Sequence, residues 1–422
     1  MYQASSIARV LGALLGRRGE RGPVGRNVVL LGVTSLVTDV SSEMVGTILP
    51  LYLFFGLGLS PFGIGAIDGL YHAVEGIVRV STAFWADRAG RIKTLAASGY
   101  ALSAACKLAL LVVGSSTGAI AAVVAVDRAG KGVRASPRDA LVSASVPRAA
   151  LGAAFGVHRA LDTVGALLGP LAGFALLAIV PGGYDVIFVV SFCAAIVGLS
   201  IFVLLVDGRP PRPAEPASAP DVAAKIDARA TWSLSGLGPV AIVAGVLSIG
   251  AVSDSLFYLV LQRWAAFDAR WVPLVFVATA LCFAALAIPV GRLADRVGRK
   301  RVFVAGHVVL ALSYGVVLLA PPGLALVGVC VLCMGAYYAA TEGVLVAIAS
   351  ARLGDRHLTT GIAALTTVTS LARFVGSLAF GAIWQVFGFR GALAGALAVL
   401  ALGVLSAGVL WRPRHDDAGA AG

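Results

Sequence analysis

The chain has 422 residues, 59% of them hydrophobic and only 13% charged, with a formal net charge of +12 and a mean hydropathy of +0.93. A soluble domain carries roughly a quarter charged residues, so this composition excludes a soluble globular protein and points to a polytopic membrane protein. The positive charge does not point to nucleic acid, because no soluble basic domain is available to host it. In a membrane protein, basic residues collect instead in cytoplasmic loops.

A helix needs about 20 apolar residues to cross the hydrocarbon. Apolar runs separated by short Gly, Pro or charged breaks predict twelve helices, at 27–57, 61–86, 94–114, 117–145, 150–180, 186–206, 236–262, 271–294, 300–320, 322–350, 357–387 and 391–411. Before them, residues 1–26 hold a short apolar run followed by arginines. That is the reverse of a signal peptide's order, and it reads as a cytoplasmic basic N-terminal segment of the kind that can lie at the interface. The Pro/Ala-rich stretch 207–235 is the one long polar interruption and reads as a flexible linker. It separates an N-terminal six-helix bundle (27–206) from a C-terminal one (236–411), and a cytoplasmic tail (412–422) follows.

Lys and Arg in short loops set orientation. One side gathers Arg17, Arg18, Arg21, Arg26, Arg88, Arg91, Lys93, Arg148, Arg296, Arg299, Lys300, Arg301, Arg352 and Arg356, with the linker and tail cations. The opposite loops, such as GSSTG and VPGGYD, carry few cations, which places both termini in the cytoplasm of a multi-pass protein, read as one of the bacterial cytoplasmic membrane. The five cysteines all lie in apolar segments; Cys330 and Cys333 have redox-like spacing but no partner pair and read as packing. No zinc or iron–sulfur spacing appears, and Gly130-Lys131-Gly132 lacks the pattern of a phosphate loop. The expectation is therefore no metal, no cofactor and no enzyme.

The densest information lies in Asp127–Pro170, which carries nine formally charged residues across two membrane segments. Arg128, Lys131, Arg134 and Arg138 step by three, three and four, which puts four cations on one helical face, with Pro137 a possible kink in the last turn. Charge in lipid is costly and calls for a protein-lined or wet interior. In the following helix Gly156, Gly165, Gly169, Pro170 and Gly173 are spaced for bending and close packing.

Acids fall within the predicted spans at Asp39, Glu43, Asp68, Glu75, Asp127, Asp139, Asp162, Asp254 and Glu342. Asp39 and Glu43, four apart, share a face, and their mutual repulsion favours a proton on one of them. Asp39, near the middle of helix one, is the first candidate for proton carrier, followed by Glu43 and Asp162. His158, one turn before Asp162, is a proton-relay candidate or a packing residue. Glu75 lies four residues before Arg79 and reads as its partner. Arg128 is the leading functional cation, grouped with Asp39, Glu43 and Asp162 as a proton-coupling candidate or a residue that shapes the central cavity. Lys131, Arg134 and Arg159 either face a substrate cavity and draw anionic groups inward or are held by the neighbouring acids. Asp254, Tyr258, Tyr338, Glu342 and Arg373 make the second-half cavity candidates, and the aromatics Phe257, Tyr258, Trp264, Tyr337 and Tyr338 suit an amphipathic organic molecule. Trp264 has the alternative role of an interfacial anchor.

The halves repeat. ADRAGRIK after helix two (Asp87, Arg88, Gly90, Arg91) recurs as GRLADRVGRK after helix eight (Gly291, Asp295, Arg296, Gly298, Arg299), 208 residues later. These loops resemble the G-x-L-A-D-R-x-G-R-K motif of the major facilitator superfamily. The second copy matches without a break; the first has Ala83 for the leading glycine and Trp85 for the leucine. RAGKG (Arg128–Gly132) resembles the family's R-x-x-Q-G motif with Lys131 for glutamine. The helix-five glycines resemble the antiporter motif of the proton-coupled drug and metabolite efflux branch, with Phe174 in place of the final glycine.

The resemblance implies an all-α polytopic membrane protein with twelve transmembrane helices in two pseudo-symmetric six-helix bundles. It implies a secondary transporter working by alternating access, most simply proton-coupled efflux of a small organic solute. It also gives the two loops the role of a conformational latch, with Asp87 and Asp295 capping a neighbouring helix or pairing with arginine. Partners are then a small-molecule substrate, protons and the lipid bilayer, with the chain a monomer and no nucleic acid. The alternatives are a proton-coupled importer of an anionic nutrient or metabolite, using the helix-four cations, and a non-transporting membrane sensor or scaffold.

Overall fold

The computed structural model describes residues 25–89, 92–147, 150–208, 237–350 and 358–411. Among these, every regular element is helical. The first half consists of α1 (Arg26–Leu51), α2 (Pro61–Ala89), α3 (Ile92–Val112), α4 (Thr117–Ala144), α5 (Leu151–Ile179) and α6 (Tyr184–Leu205). The second consists of α7 (Leu237–Gly250), α8 (Asp254–Ala265), α9 (Val272–Val297), α10 (Arg299–Leu319), α11 (Leu324–Thr341), α12 (Val344–Ser350) and α13 (Leu358–Leu410). The N-terminal segment, most of the linker and the tail lie outside the described residues.

Nine stretches among the described residues are long and apolar enough to cross a membrane. They omit α2 and the charge-rich α4, and they treat α13 as one stretch. α13 is in fact two helices meeting at Gly388, whose φ of 74° is left-handed and open to glycine without a Cβ clash. The twelve passes follow once these are added.

Two predicted spans are not single helices. The span 236–262 breaks after Gly250 and restarts at Asp254, where Ser253 accepts a hydrogen bond from the Leu256 N–H at 3.4 Å. This is an N-cap inside an otherwise apolar run. The span 322–350 breaks at Glu342–Gly343, with Gly343 at φ 76°. Continuous hydropathy hides both breaks, because the flanking residues stay apolar.

The described residues group into two compact units. The first holds α1, α2 from Val74, α3 to α6 and residues 270–277; the second holds residues 60–73, α7, α8 and the chain from Ala278 on. In the first, α1 is the central helix, buried along most of its length and packed chiefly on α5 and α6. Its core joins Val28, Leu31, Ala96, Tyr100, Val142, Ala154 and Phe202. Ser41 of α1 and Ser191 of α6 each donate to the other's carbonyl at 2.7 Å, hydroxyl links of the kind that join helices where water is absent.

The glycines of α5 form the seam against α1. A Cβ on Gly165 would lie 2.5 Å from the Leu36 carbonyl oxygen and 2.9 Å from its Cα. On Gly169 it would meet the Met44 amide and the Val40 carbonyl, each at 2.9 Å. On Gly173 it would meet Ile48 Cδ1 at 2.8 Å. Gly156 meets nothing within 4 Å. The motif therefore lets two backbones approach along a small-residue ridge. Gly165→Ala is expected to cost about 1–3 kcal/mol through overpacking against backbone. Gly156→Ala is expected to be neutral or to stabilise by up to about 1 kcal/mol through helix propensity. Unfolding in mixed micelles of the two variants checks the contrast.

Candidate functional site: a charge-paired face on α4

Helix α4 begins with Ser116 as its N-cap and runs through Pro137 to Ala144. Three of its cations face α1 in an antiparallel ladder, two of them against acids and one against a serine. Lys131 Nζ reaches Glu43 Oε1 at 3.3 Å, Arg134 Nη2 reaches Asp39 Oδ1 at 3.2 Å, and Arg138 Nη1 donates to the Ser35 hydroxyl at 3.1 Å. Going up α4 by three and four residues descends α1 by four each time, as two antiparallel helices require. The rungs differ in exposure. The Lys131 and Glu43 side chains are 23% and 28% exposed, whereas Arg134 and Asp39 are 3% and 11%. Arg134 is further held by Thr38 Oγ1 at 2.8 Å and lies over the Tyr100 ring, 4.6 Å from its centroid. It is thus a buried pairing residue and presents nothing to open space.

The third rung turns toward α5. Arg138 donates to Asp139 at 3.0 Å and approaches Asp162 Oδ1 at 3.6 Å. Arg159, with 80% of its side chain exposed, stands 3.6 Å from the other Asp162 oxygen. His158 is buried, with its Nε2 3.1 Å from the Ser35 hydroxyl, so it belongs to the helix contact. Asp162 and Asp39 lie within electrostatic reach of each other. Among the described residues, Asp162 Oδ1 is buried without a hydrogen-bond partner. Two ionised carboxylates offer only acceptors, so a hydrogen bond between them exists only when one carries a proton.

At the other end, Arg128 is 3% exposed and is oriented by Asp127, which accepts from its Nε at 3.0 Å. Its Nη1 points to Glu75 at 3.6 Å. Glu75 thus meets a cation from α4; the side chain of Arg79, its expected partner, lies outside the described residues. Asp127 also binds two groups of α3, the Ser103 hydroxyl at 2.5 Å and Lys107 Nζ at 3.3 Å. Lys107, 3% exposed, was not among the sequence candidates. The signal was available, since one lysine in an apolar span demands a partner. Gly99 and Gly130 allow this contact: a Cβ on either would lie within 3 Å of the other's carbonyl oxygen.

The second unit brings Asp254, Tyr338, Glu342 and Arg373 together. The Tyr338 hydroxyl donates to Asp254 across the two helix breaks. Arg373 lies within electrostatic reach of Tyr337, Tyr338, Asp254 and Glu342. Asp254, Tyr338 and Arg373 are partly exposed and Glu342 is exposed. Tyr258 is fully buried and bonded to Thr279 Oγ1 at 2.7 Å, so it is core, not cavity wall. Trp264 stacks near Phe389 and beneath Arg390, 4.6 Å from its centroid.

In the second loop, Asp295 pairs with Arg299 at 3.0 Å, and Arg299 donates to the Ala347 carbonyl at 3.2 Å. Gly298 takes φ 109°, Gly291 has open space around it, and Arg296 is exposed. In the first loop, Gly90 and Arg91 and the side chains of Asp87 and Arg88 lie outside the described residues. Lys93 is described: it donates to the Val203 and Val206 carbonyls at 2.8 and 2.7 Å, satisfying the end of α6.

Charged residues paired within membrane-length helices, broken helices in the second half and two compact units define a multi-pass solute transporter. The sequence profile of the Major Facilitator Superfamily matches residues 31–271 and 263–422, and the chain belongs to that family. It is 30% identical to an uncharacterized MFS-type transporter of Methanocaldococcus jannaschii over 70% of this chain and 71% of the relative. An uncharacterized protein of Mycobacterium tuberculosis is 31% identical over 65% of this chain and 67% of the relative. Among solved structures, the nucleoside transporter NupG aligns with a TM-score of 0.76 at 11% identity, covering 92% of this chain and all of that one. A bacterial homolog of the human lysosomal transporter Spinster aligns at 0.74 and 14% identity, covering 93% and 98%. At these identities the structural likeness concerns the fold. The protein is a membrane transporter of solutes and not an enzyme.

Proposed function

We propose that this transporter exports a small organic molecule in exchange for protons, as a monomer of the bacterial cytoplasmic membrane with both termini in the cytoplasm. The observation that carries the coupling is the placing of Asp39 and Asp162 within electrostatic reach of each other, Asp39 paired with Arg134 at 3.2 Å and Asp162 facing Arg138 at 3.6 Å. One proton held between two carboxyls on α1 and α5 is a titratable link between the two helices that form the glycine seam. Its loss leaves two like charges facing each other, and repulsion then favours a different arrangement of α1 against α5. Export as the direction rests on the helix-five glycine pattern.

Import of an anion drew on the α4 cations. Lys131, Arg134 and Arg138 each stand against an acid instead, which removes the charge an anion would seek. Arg128 is the positioning cation that ties α4 to Glu75. The doubled loops serve as the latch, with the Asp295–Arg299 pair as its second-half element.

A thermal-shift screen of drugs, sugars and organic anions identifies a ligand, because whatever binds the native state stabilises it. Flux of that ligand in sealed vesicles then tests the coupling. The expected result is that Asp162→Asn loses accumulation driven by a pH gradient while ligand–ligand exchange persists. Retention of pH-driven accumulation in that variant would defeat the proposal.

A further inference from the structure

Asp162 keeps a buried oxygen unbonded although a guanidinium stands beside it, and the cause lies on α1. Arg138 gives its Nε and Nη2 hydrogens to Asp139 at 3.2 and 3.0 Å and an Nη1 hydrogen to the Ser35 hydroxyl at 3.1 Å. Held there, Nη1 stands 3.6 Å from Asp162 Oδ1, beyond hydrogen-bonding reach. Among the described residues that oxygen has no hydrogen-bond partner. The guanidinium is anchored to a serine in place of the carboxylate.

The anchor is itself fixed by His158. Ser35 Oγ is buried and, among the described residues, has two partners, Arg138 Nη1 and His158 Nε2, each at 3.1 Å. An arginine N–H can only donate, so the Ser35 oxygen accepts from it. The hydroxyl hydrogen then has one acceptor in place, the His158 Nε2 lone pair. This requires the neutral imidazole with its hydrogen on Nδ1. The reverse assignment, with Nε2–H donating, would leave the hydroxyl hydrogen buried and unpaired. A doubly protonated ring would do the same and would set a second cation beside Arg138. The other charged groups around the ring are Asp139 of α4, Asp39 of α1 and Arg159 of α5.

We propose that His158 and Ser35 are positioning residues for Asp162. His158 accepts the Ser35 hydrogen, Ser35 accepts from Arg138, and the guanidinium is thereby held off the carboxyl that carries the proton. With the hydroxyl gone, the freed Nη1–H can close on Asp162 Oδ1 as a full ion pair, which favours the ionised carboxylate. The contacts run from α5 through α1 to α4 and return to α5 one helical turn on, since His158 and Asp162 are four residues apart. The role given to Asp162 rests on the proton exchange proposed for this transporter; the tautomer of His158 does not.

Nitrogen-15 NMR of the full chain with labelled histidine, in micelles at neutral pH, reads the ring directly, and His158→Gln identifies its signals. The expected result is a protonated Nδ1 and an unprotonated, hydrogen-bonded Nε2 whose signal shifts in Ser35→Ala. Infrared difference spectroscopy of the same proteins reads the protonated carboxyl that Asp162→Asn removes. Ser35→Ala is expected to lose about half or more of that band. Ser41→Ala deletes the same group from the same helix, where it faces Ser191 at 2.9 Å, and is expected to keep the band. A proton on His158 Nε2 overturns the inference, as does a band that Ser35→Ala leaves whole or that Ser41→Ala reduces equally. The expected tautomer in a parent without a band would instead sink the proton exchange, and with it the role given to Ser35, while upholding the hydrogen-bond chain.

Discussion

Replacing Lys107 by methionine is expected to destabilise the protein by about 3–5 kcal/mol, the usual cost of removing one partner from a buried ion pair. Lys107 is 3% exposed, and its ammonium contacts Asp127 Oδ1 at 3.3 Å and the Ser103 carbonyl at 3.0 Å. Methionine keeps the length of the stem and its packing but leaves Asp127 with Arg128 and Ser103 alone. The carboxylate then draws more strongly on Arg128, the cation that also reaches Glu75 at 3.6 Å. Pairing Lys107→Met with Asp127→Asn removes the stranded charge, so the double variant should lose less than the two single losses combined. Denaturant titration in mixed micelles reads all three. Simple additivity would show that the α3–α4 link is not an electrostatic unit.

The expected face of α4 was legible because the periodicity of Arg128, Lys131, Arg134 and Arg138 needs nothing but helical geometry, and the Asp39–Glu43 spacing likewise. What spacing does not contain is the pairing. That Lys131 takes Glu43, Arg134 takes Asp39 and Arg138 turns to Asp162 depends on the registers of α1 and α5 against α4. Ser35, Thr38 and Ser103 were invisible for a related reason. A hydroxyl in an apolar helix more often bonds its own backbone, as Thr38 also does to the Thr34 carbonyl at 2.8 Å.

The twelve spans followed from hydropathy, and the breaks at Ser253 and Gly343 did not, because hydropathy averages over a window longer than either break. Yet the local chemistry was present. GAVSDS contains a serine cap followed by an acid in the first turn, and TEG places a glycine where a left-handed residue is needed. Tyr258 was misplaced on the cavity because an aromatic beside an acid suggests a binding wall, whereas its hydroxyl is spent on Thr279 in the core.

The second large effect concerns Asp39. Its carboxyl joins Arg134, Asp162 and the α1–α5 seam, so Asp39→Asn is expected to abolish proton-driven transport by leaving no carboxyl pair to share a proton. Infrared difference spectroscopy of the purified protein at neutral pH reads that proton itself, through the carbonyl stretch of a protonated carboxyl. The account predicts a protonated-carboxyl band in the parent that disappears both in Asp39→Asn and in Asp162→Asn, since either substitution leaves the remaining acid facing only cations, Arg138 and Arg159 for Asp162 and Arg134 for Asp39. A band that survives in both variants, or a parent protein without one, would contradict it.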